Sequence, residues 1–123
     1  MKHSPGFLRI VEDAKSRVRE ISVSQTLEKL KSGESLHFLD VREDHEWQQG
    51  RAAGASHLGK GIIERDIESK IPNHDAEIIL YCGGGFRSAL AADALQKMGY
   101  SHIYSYILSS KSSAKRYHYC PLK

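Results

Sequence analysis

The 123-residue chain is poor in cysteine, proline and tryptophan, with two, three and one of these residues. Two cysteines, Cys82 and Cys120, are too few for the disulfide framework of a small secreted domain, and neither lies in a CxxC or Cys/His pattern with zinc spacing. No apolar run approaches the roughly 18 residues that a membrane-spanning helix needs. The first twenty residues interleave charged and apolar side chains where a signal peptide would be continuously apolar. A reduced, cytoplasmic setting with no membrane partner is expected. Charge of one sign is in small excess only, 18 Lys and Arg against 15 Asp and Glu, and the signs alternate until the last stretch, so nucleic acid is not an expected partner. The seven histidines show no paired metal spacing, and His37, His57 and His102 fit strand or strand-edge positions. Internal repeats and dividing linkers are also lacking. What remains, 40% hydrophobic and 27% charged residues, suits one domain long enough to bury a core unaided.

Helical and strand patterns alternate along the chain. Phe7, Ile10, Val11, Ala14 and Val18 recur at helical spacing over 5–19, with Ser4 as cap and Pro5 in the first turn. A short strand is expected at 21–23, with Ser24 capping a helix that carries Leu27 and Leu30 and stops at Gly33. LHFLDV (36–41) reads as a strand, REDHEWQQG as a short acidic helix ended by Gly50, and ASHL as a brief strand. Ile63, Ile67 and Ile71 mark a helix closed by Pro72, whereas EIILY (77–81) is the continuous apolar run of a central parallel strand. A last helix places Leu90, Ala91, Ala94, Leu95 and Met98 on one face and ends at Gly99, and HIYSYI (102–107) reads as a further strand.

The stretch YCGGGFRSA (81–89) puts Cys82 at the carboxyl end of that apolar strand, ahead of three glycines, an arginine and a helix start. In a parallel sheet covered by helices, ligands gather beyond the carboxyl ends of the strands. Gly83, Gly84 and Gly85 strip side chains from the loop and let successive N–H groups turn inward as an anion-binding nest. The helix beginning near Arg87 or Ser88 adds free N–H groups and a positive dipole end, and Arg87 offers a fork of donors when folded inward. All three features favour a thiolate nucleophile on Cys82. A tight turn around a small buried cysteine is the plain alternative; the order strand, cysteine, glycine loop, arginine, helix favours function.

Two segments resemble a known family. FLDVREDHEWQQGRAAGASHLGKG (38–61) is similar to its strand ending in Asp-Val-Arg, its acidic helix with an aromatic, and its Gly-x-x-x-Gly-Ala approach to the next strand. IILYCGGGFRSALAADALQKMGY (78–100) is similar to its active-site strand, loop and helix. The family is the rhodanese-like domain of single-domain sulfurtransferases. The resemblance implies a rhodanese-like three-layer α/β/α fold with a central, mostly parallel sheet. It implies that Cys82 takes sulfane sulfur from thiosulfate or a persulfide donor and passes it, from a persulfide, to cyanide or a thiol. Gly83, Gly84, Gly85, Phe86, Arg87 and Ser88 then form the anion-binding loop, whose backbone donors stabilise negative charge without reorganising. Arg87 is also placed to bind departing sulfite. No metal and no organic cofactor is implied. Asp40 and Arg42 in the DVRE turn are implied as support for the pocket wall, binding each other and nearby loop amides. With four residues between Cys82 and Arg87, the loop is one residue shorter than in related phosphatases, which makes a phosphatase or arsenate reductase a minor alternative.

The chain departs from the family pattern in three places. GRAAGA sets Arg51 and Ala52 where members have His and Ile, and Arg51 either adds positive charge near the site or faces solvent. Residues 1–20 form a helical extension to the 21–107 domain. Residues 108–123 lack the family's Gly-Gly and tryptophan-bearing helix and are expected to be loosely packed and polar, with Cys120 a spectator thiol. Trp47, the single tryptophan, is expected to serve packing. A non-catalytic interaction module that presents the loop to a protein partner stays open as the second function class.

Overall fold

The computed structural model of the protein describes residues 3–32, 35–107 and 119–120. Its five-stranded sheet is parallel throughout and ordered β1-β6-β5-β2-β4, with β1 Arg19–Ile21, β2 Leu36–Asp40, β4 Ser56–His57, β5 Glu77–Tyr81 and β6 His102–Tyr106. The strand with the longest apolar run, β5, takes the middle place, because only a strand covered on both faces can bury every side chain. Ile78, Ile79, Leu80 and Tyr81 are all fully buried. Its register runs from Leu36 opposite Glu77 to Asp40 opposite Tyr81 on one side, and from Glu77 opposite His102 on the other.

The period of two along β5 sorts the core into two layers. Ile78, Leu80 and Cys82 point to the face covered by α4 (Ile63–Lys70) and α5 (Phe86–Lys97), among Ile63, Ile67, Ala91, Ala92 and Leu95. Ile79 and Tyr81 point to the other face, among Phe38, Ile21 and Tyr106, with Val23 and Leu30 of α2 (Val23–Lys31) packed against them. These are the three layers of the expected α/β/α fold. The short α3 (Asp44–Gln49) follows β2, and a two-stranded antiparallel ladder pairs β3 (Arg51–Ala52) with β7 (Tyr119–Cys120). Apart from the backbone of Tyr119–Cys120, the expectations for 108–123 lie outside the described residues, as does the helix stop at Gly33.

Five local expectations are corrected. The first strand lies at Arg19–Ile21, and Ser22, not Ser24, caps α2: its hydroxyl accepts the Gln25 N–H while the Gln25 side chain accepts the Ser22 N–H. That Ser-x-x-Gln capping box outcompetes a lone serine two residues later. The first helix, α1 (Pro5–Lys15), ends short of 19, because Arg17 turns to pair with Asp93 of α5, its Nε and Nη2 each donating at 2.9 Å. α5 starts at Phe86 and buries Ser88, Ala89, Ala91, Ala92, Asp93 and Leu95, leaving Leu90, Ala94 and Met98 partly exposed. It is pressed between the sheet and α1 (Pro5–Lys15), whose Val11 and Ala14 are buried, so small residues rather than a leucine stripe face its neighbours. Among the described residues, no helix is long and apolar enough to cross a membrane.

Candidate active site

Parallel strands deliver their carboxyl ends to one edge, which brings Asp40, His57, Tyr81 and Tyr106 to the same end of the sheet as Cys82. Cys82 is buried there, 3% exposed. The chain leaves β5 through Gly83 and Gly84, both exposed, and turns into α5 at Gly85, whose φ of +88° lies in the left-handed region. A Cβ at Gly85 would also meet Ile107 Cγ2 at 3.4 Å, whereas one at Gly83 or Gly84 would meet open space. Gly85 is thus required by conformation; the other two keep the mouth of the loop clear.

That turn aims N–H groups at the sulfur. Gly85 N–H donates to Cys82 Sγ at 3.1 Å and Ser88 N–H at 3.4 Å. Both are free donors of the first turn of α5, where the helix dipole also favours negative charge. The Ser88 hydroxyl lies 3.7 Å from Sγ and shares a 2.7 Å hydrogen bond with Ser105 Oγ of β6, which fixes its position. The arrangement can hold a negatively charged sulfur without moving any group.

Arg87 departs from the simple expectation of a fork closed over the loop. Its two terminal nitrogens donate to the two carboxylate oxygens of Glu46, at 2.8 and 3.1 Å. Glu46 sits in the first turn of α3, where Oε1 also accepts the Glu43 N–H at 2.9 Å. Chiefly through Arg87, and secondarily through that N–H, its carboxyl is held down at about 2. The Arg87 guanidinium is held above its ordinary value, first by Glu46 and then, against burial, by the negative charge a Cys82 thiolate brings beside it. Phe86 turns outward against the start of the chain: its ring centroid lies 6.1 Å from Phe7 and 4.9 Å from His3, with Lys15 Nζ 4.9 Å away.

Asp40 and Arg42 are brought together below the loop. Arg42 donates from Nε at 3.0 Å and Nη2 at 2.7 Å to the Asp40 carboxylate, and from its backbone N–H at 2.9 Å. Nη2 also reaches the Gly50 carbonyl at 2.7 Å. The Tyr81 hydroxyl donates to Asp40 at 2.7 Å and accepts the Ala52 N–H at 2.9 Å, tying the residue before Cys82 to the loop after α3. Burial, with the adjacent Asp40 charge, pushes the Tyr81 phenol up. Trp47 is half-buried and stacks on His57, ring centroids 5.0 Å apart and ring planes nearly parallel. Arg51 is partly buried, its guanidinium carbon 4.1 Å from the Trp47 ring centroid.

Glu46, Tyr81, Ser105 and Phe7 are site residues that the sequence does not mark as such. Glu46 carries one local signal, the Glu43-to-Glu46 capping spacing; the roles of the others are legible only in three dimensions. A shallow cleft lined by Arg42, Glu46, Gln49 and Gly50 lies between the two ion pairs, while a groove lined by His37, Ile71, Glu77 and His102 sits at the opposite, amino end of the strands. Among the described residues, no group of three His, Cys, Asp or Glu side chains could hold a metal ion.

A parallel sheet wrapped by helices, with a cysteine at the turn from its middle strand into a helix, is the arrangement that the rhodanese-like resemblance implies. Residues 22–112 match the family model described as the rhodanese-like domain, and the chain belongs to that family. Thiosulfate sulfurtransferase GlpE of Pseudoalteromonas translucida is 32% identical over 87 residues, covering 71% of this chain and 80% of that protein. Protein YrkF of Bacillus subtilis is 34% identical over 88 residues, 72% of this chain; the chain spans about half of that relative, 46%. Among solved structures, a Rhodopseudomonas palustris protein of unknown function, described as a tyrosine phosphatase candidate, superposes with a TM-score of 0.77 at 23% identity, covering 94% of this chain and 93% of that one. The Wolinella succinogenes polysulfide-sulfur transferase superposes with a TM-score of 0.75 at 19% identity, covering 96% and 89%. At these identities the structures establish the fold, and the sequence relatives place the chain in a sulfurtransferase family.

Proposed function

We propose that the protein is a sulfurtransferase that carries sulfane sulfur on Cys82. The observation that supports this best is the pair of N–H donors, from Gly85 at 3.1 Å and Ser88 at 3.4 Å, aimed at Sγ at the amino end of α5. On this reading the Cys82 thiolate attacks the outer sulfur of thiosulfate or of a persulfide. The new S–S bond forms as the old one breaks, and sulfite or a thiolate leaves with the electron pair. The same donors then hold the terminal sulfur of the Cys82 persulfide until a thiol or cyanide attacks it. Gly83 and Gly84 leave the approach open, and Arg87 lends positive charge beside the sulfur. Asp40 and Arg42 brace the wall beneath the loop. Residues 21–107 carry the sulfurtransferase unit, to which the helical extension adds Arg19 and Glu20 of β1 and, in α1, a wall beside Phe86. A reducing, cytoplasmic compartment, where Cys82 stays a thiol, belongs to the same reading.

Intact mass spectrometry of the reduced protein after exposure to thiosulfate, and separately to cysteine persulfide, tests the assignment. A gain of one sulfur that cyanide removes, lost in Cys82→Ser, is the expected result. A folded wild-type protein that takes sulfur from neither donor would overturn it and leave the loop as a recognition surface.

A further inference from the structure

The donors compatible with that reading differ in charge, and the charges around Cys82 discriminate between them. Thiosulfate arrives as a dianion and leaves as sulfite, whose oxygens keep the charge; a partly buried loop stabilises such a group best with a cation free to pair with it. An organic persulfide, R–S–SH, delivers its sulfur with a single thiolate as leaving group, which oriented N–H groups can stabilise alone.

Arg87, which faces the Cys82 sulfur, and Arg42 at the same end of the sheet each carry a carboxylate partner. Both terminal nitrogens of Arg87 are given to Glu46 at 2.8 and 3.1 Å, and Glu46 Oε1 also accepts the Glu43 N–H at 2.9 Å. Arg42 is closed by Asp40 and the Gly50 carbonyl. The ammonium over Phe86, that of Lys15, lies 4.0 Å from Glu20. A dianion that reaches for Arg87 therefore meets a carboxylate already seated in the fork.

We propose that Glu46 is a specificity-determining residue: by occupying the Arg87 fork it makes the site take sulfur from organic persulfides in preference to thiosulfate. This rests on the sulfurtransferase reading above. The Cys82 thiolate attacks the outer sulfur of R–S–SH; the Cys82 S–S bond forms, the donor's S–S bond breaks, and R–S⁻ departs with the electron pair, leaving Cys82–S–SH.

The test is the rate of sulfur uptake by the reduced full chain, followed by intact mass against donor concentration, for thiosulfate and for cysteine persulfide. Wild type, Glu46→Gln and Glu46→Asp are compared. The wild type is expected to favour cysteine persulfide by about tenfold or more, the scale of a single charge-assisted hydrogen bond. Glu46→Gln frees the fork and is expected to narrow that preference severalfold by lowering the half-saturating thiosulfate concentration. Glu46→Asp, which keeps the charge, is expected to retain the wild-type preference. Damage to the fold would slow both donors together without moving the ratio. Equal use of the two donors by the wild type, or a ratio unmoved in a Glu46→Gln variant that still takes sulfur from cysteine persulfide at the wild-type rate, would overturn the specificity assignment and leave sulfur transfer standing. Uptake from neither donor by folded wild type would overturn both.

Discussion

Two carboxylate–guanidinium pairs flank Cys82, and they differ in burial. Asp40 and Arg42 form theirs beneath the loop, with side chains 0% and 10% exposed, inside a network that includes Tyr81, Gly50 and Ala52. Glu46 and Arg87 form theirs at the rim, 28% and 31% exposed. The chemistry of the contact is the same, yet the consequences are not. A buried pair cannot lose one partner without stranding a charge out of reach of water, so it acts as fixed scaffold. A rim pair is screened and contributes little to stability. Its charge can instead be exchanged against a ligand, which makes it the natural place for selectivity.

Breaking the inner pair is expected to cost most. Asp40→Asn removes the negative charge that faces both Arg42 and the Tyr81 hydroxyl, and a loss of about 3–5 kcal/mol is expected, read from the midpoint of urea unfolding. Tyr81→Phe keeps the pair but deprives the buried Ala52 N–H of its acceptor and Asp40 of a donor. A loss of about 1–3 kcal/mol is expected by the same measurement. Glu46→Gln should fall within about 1 kcal/mol of wild type; a cost as large as that of Asp40→Asn would erase the distinction between scaffold and rim.

The smallest effect sharpens the comparison through pH. Glu46 titrates at about 2 in the folded chain against 4.5 without its partners, chiefly because of Arg87. A carboxyl depressed in this way stabilises the fold fully above pH 4.5, and that contribution disappears as pH falls from 4.5 toward about 2. The difference in unfolding midpoint between wild type and Glu46→Gln should therefore be flat above this window and shrink across it. A difference that stays constant down to pH 2 would show that Arg87 does not hold Glu46 in solution.

Much of this site is readable from the chain in order. EIILY announces a central strand because five consecutive apolar or aliphatic-stemmed residues suit a strand buried on both faces, and the cysteine and glycines that follow it mark the turn. The position of Gly85 at the helix start and the donors it aims at Sγ follow from contacts within six residues of Cys82. The α2 boundary is also legible, in the Ser22-to-Gln25 box, but a competing serine at 24 obscures it. The buried face of α5 is not: periodicity points to Leu90 and Met98, whereas burial there depends on α1 lying across the helix and on Arg17 reaching Asp93, 76 residues away.

The local machinery is written along the chain: the strand, the thiol at its end, the glycine that turns the chain, and the helix whose first N–H groups meet the sulfur. These rest on steric and hydrogen-bonding rules that act over a few residues. Which charges neutralise one another is settled by the packing of the whole domain, which pairs Arg87 with Glu46 across 41 residues and sets Asp40 and Arg42 beside Tyr81. Coulombic attraction depends on separation in space and on burial, and neither is known until the sheet has brought the carboxyl ends of its strands together.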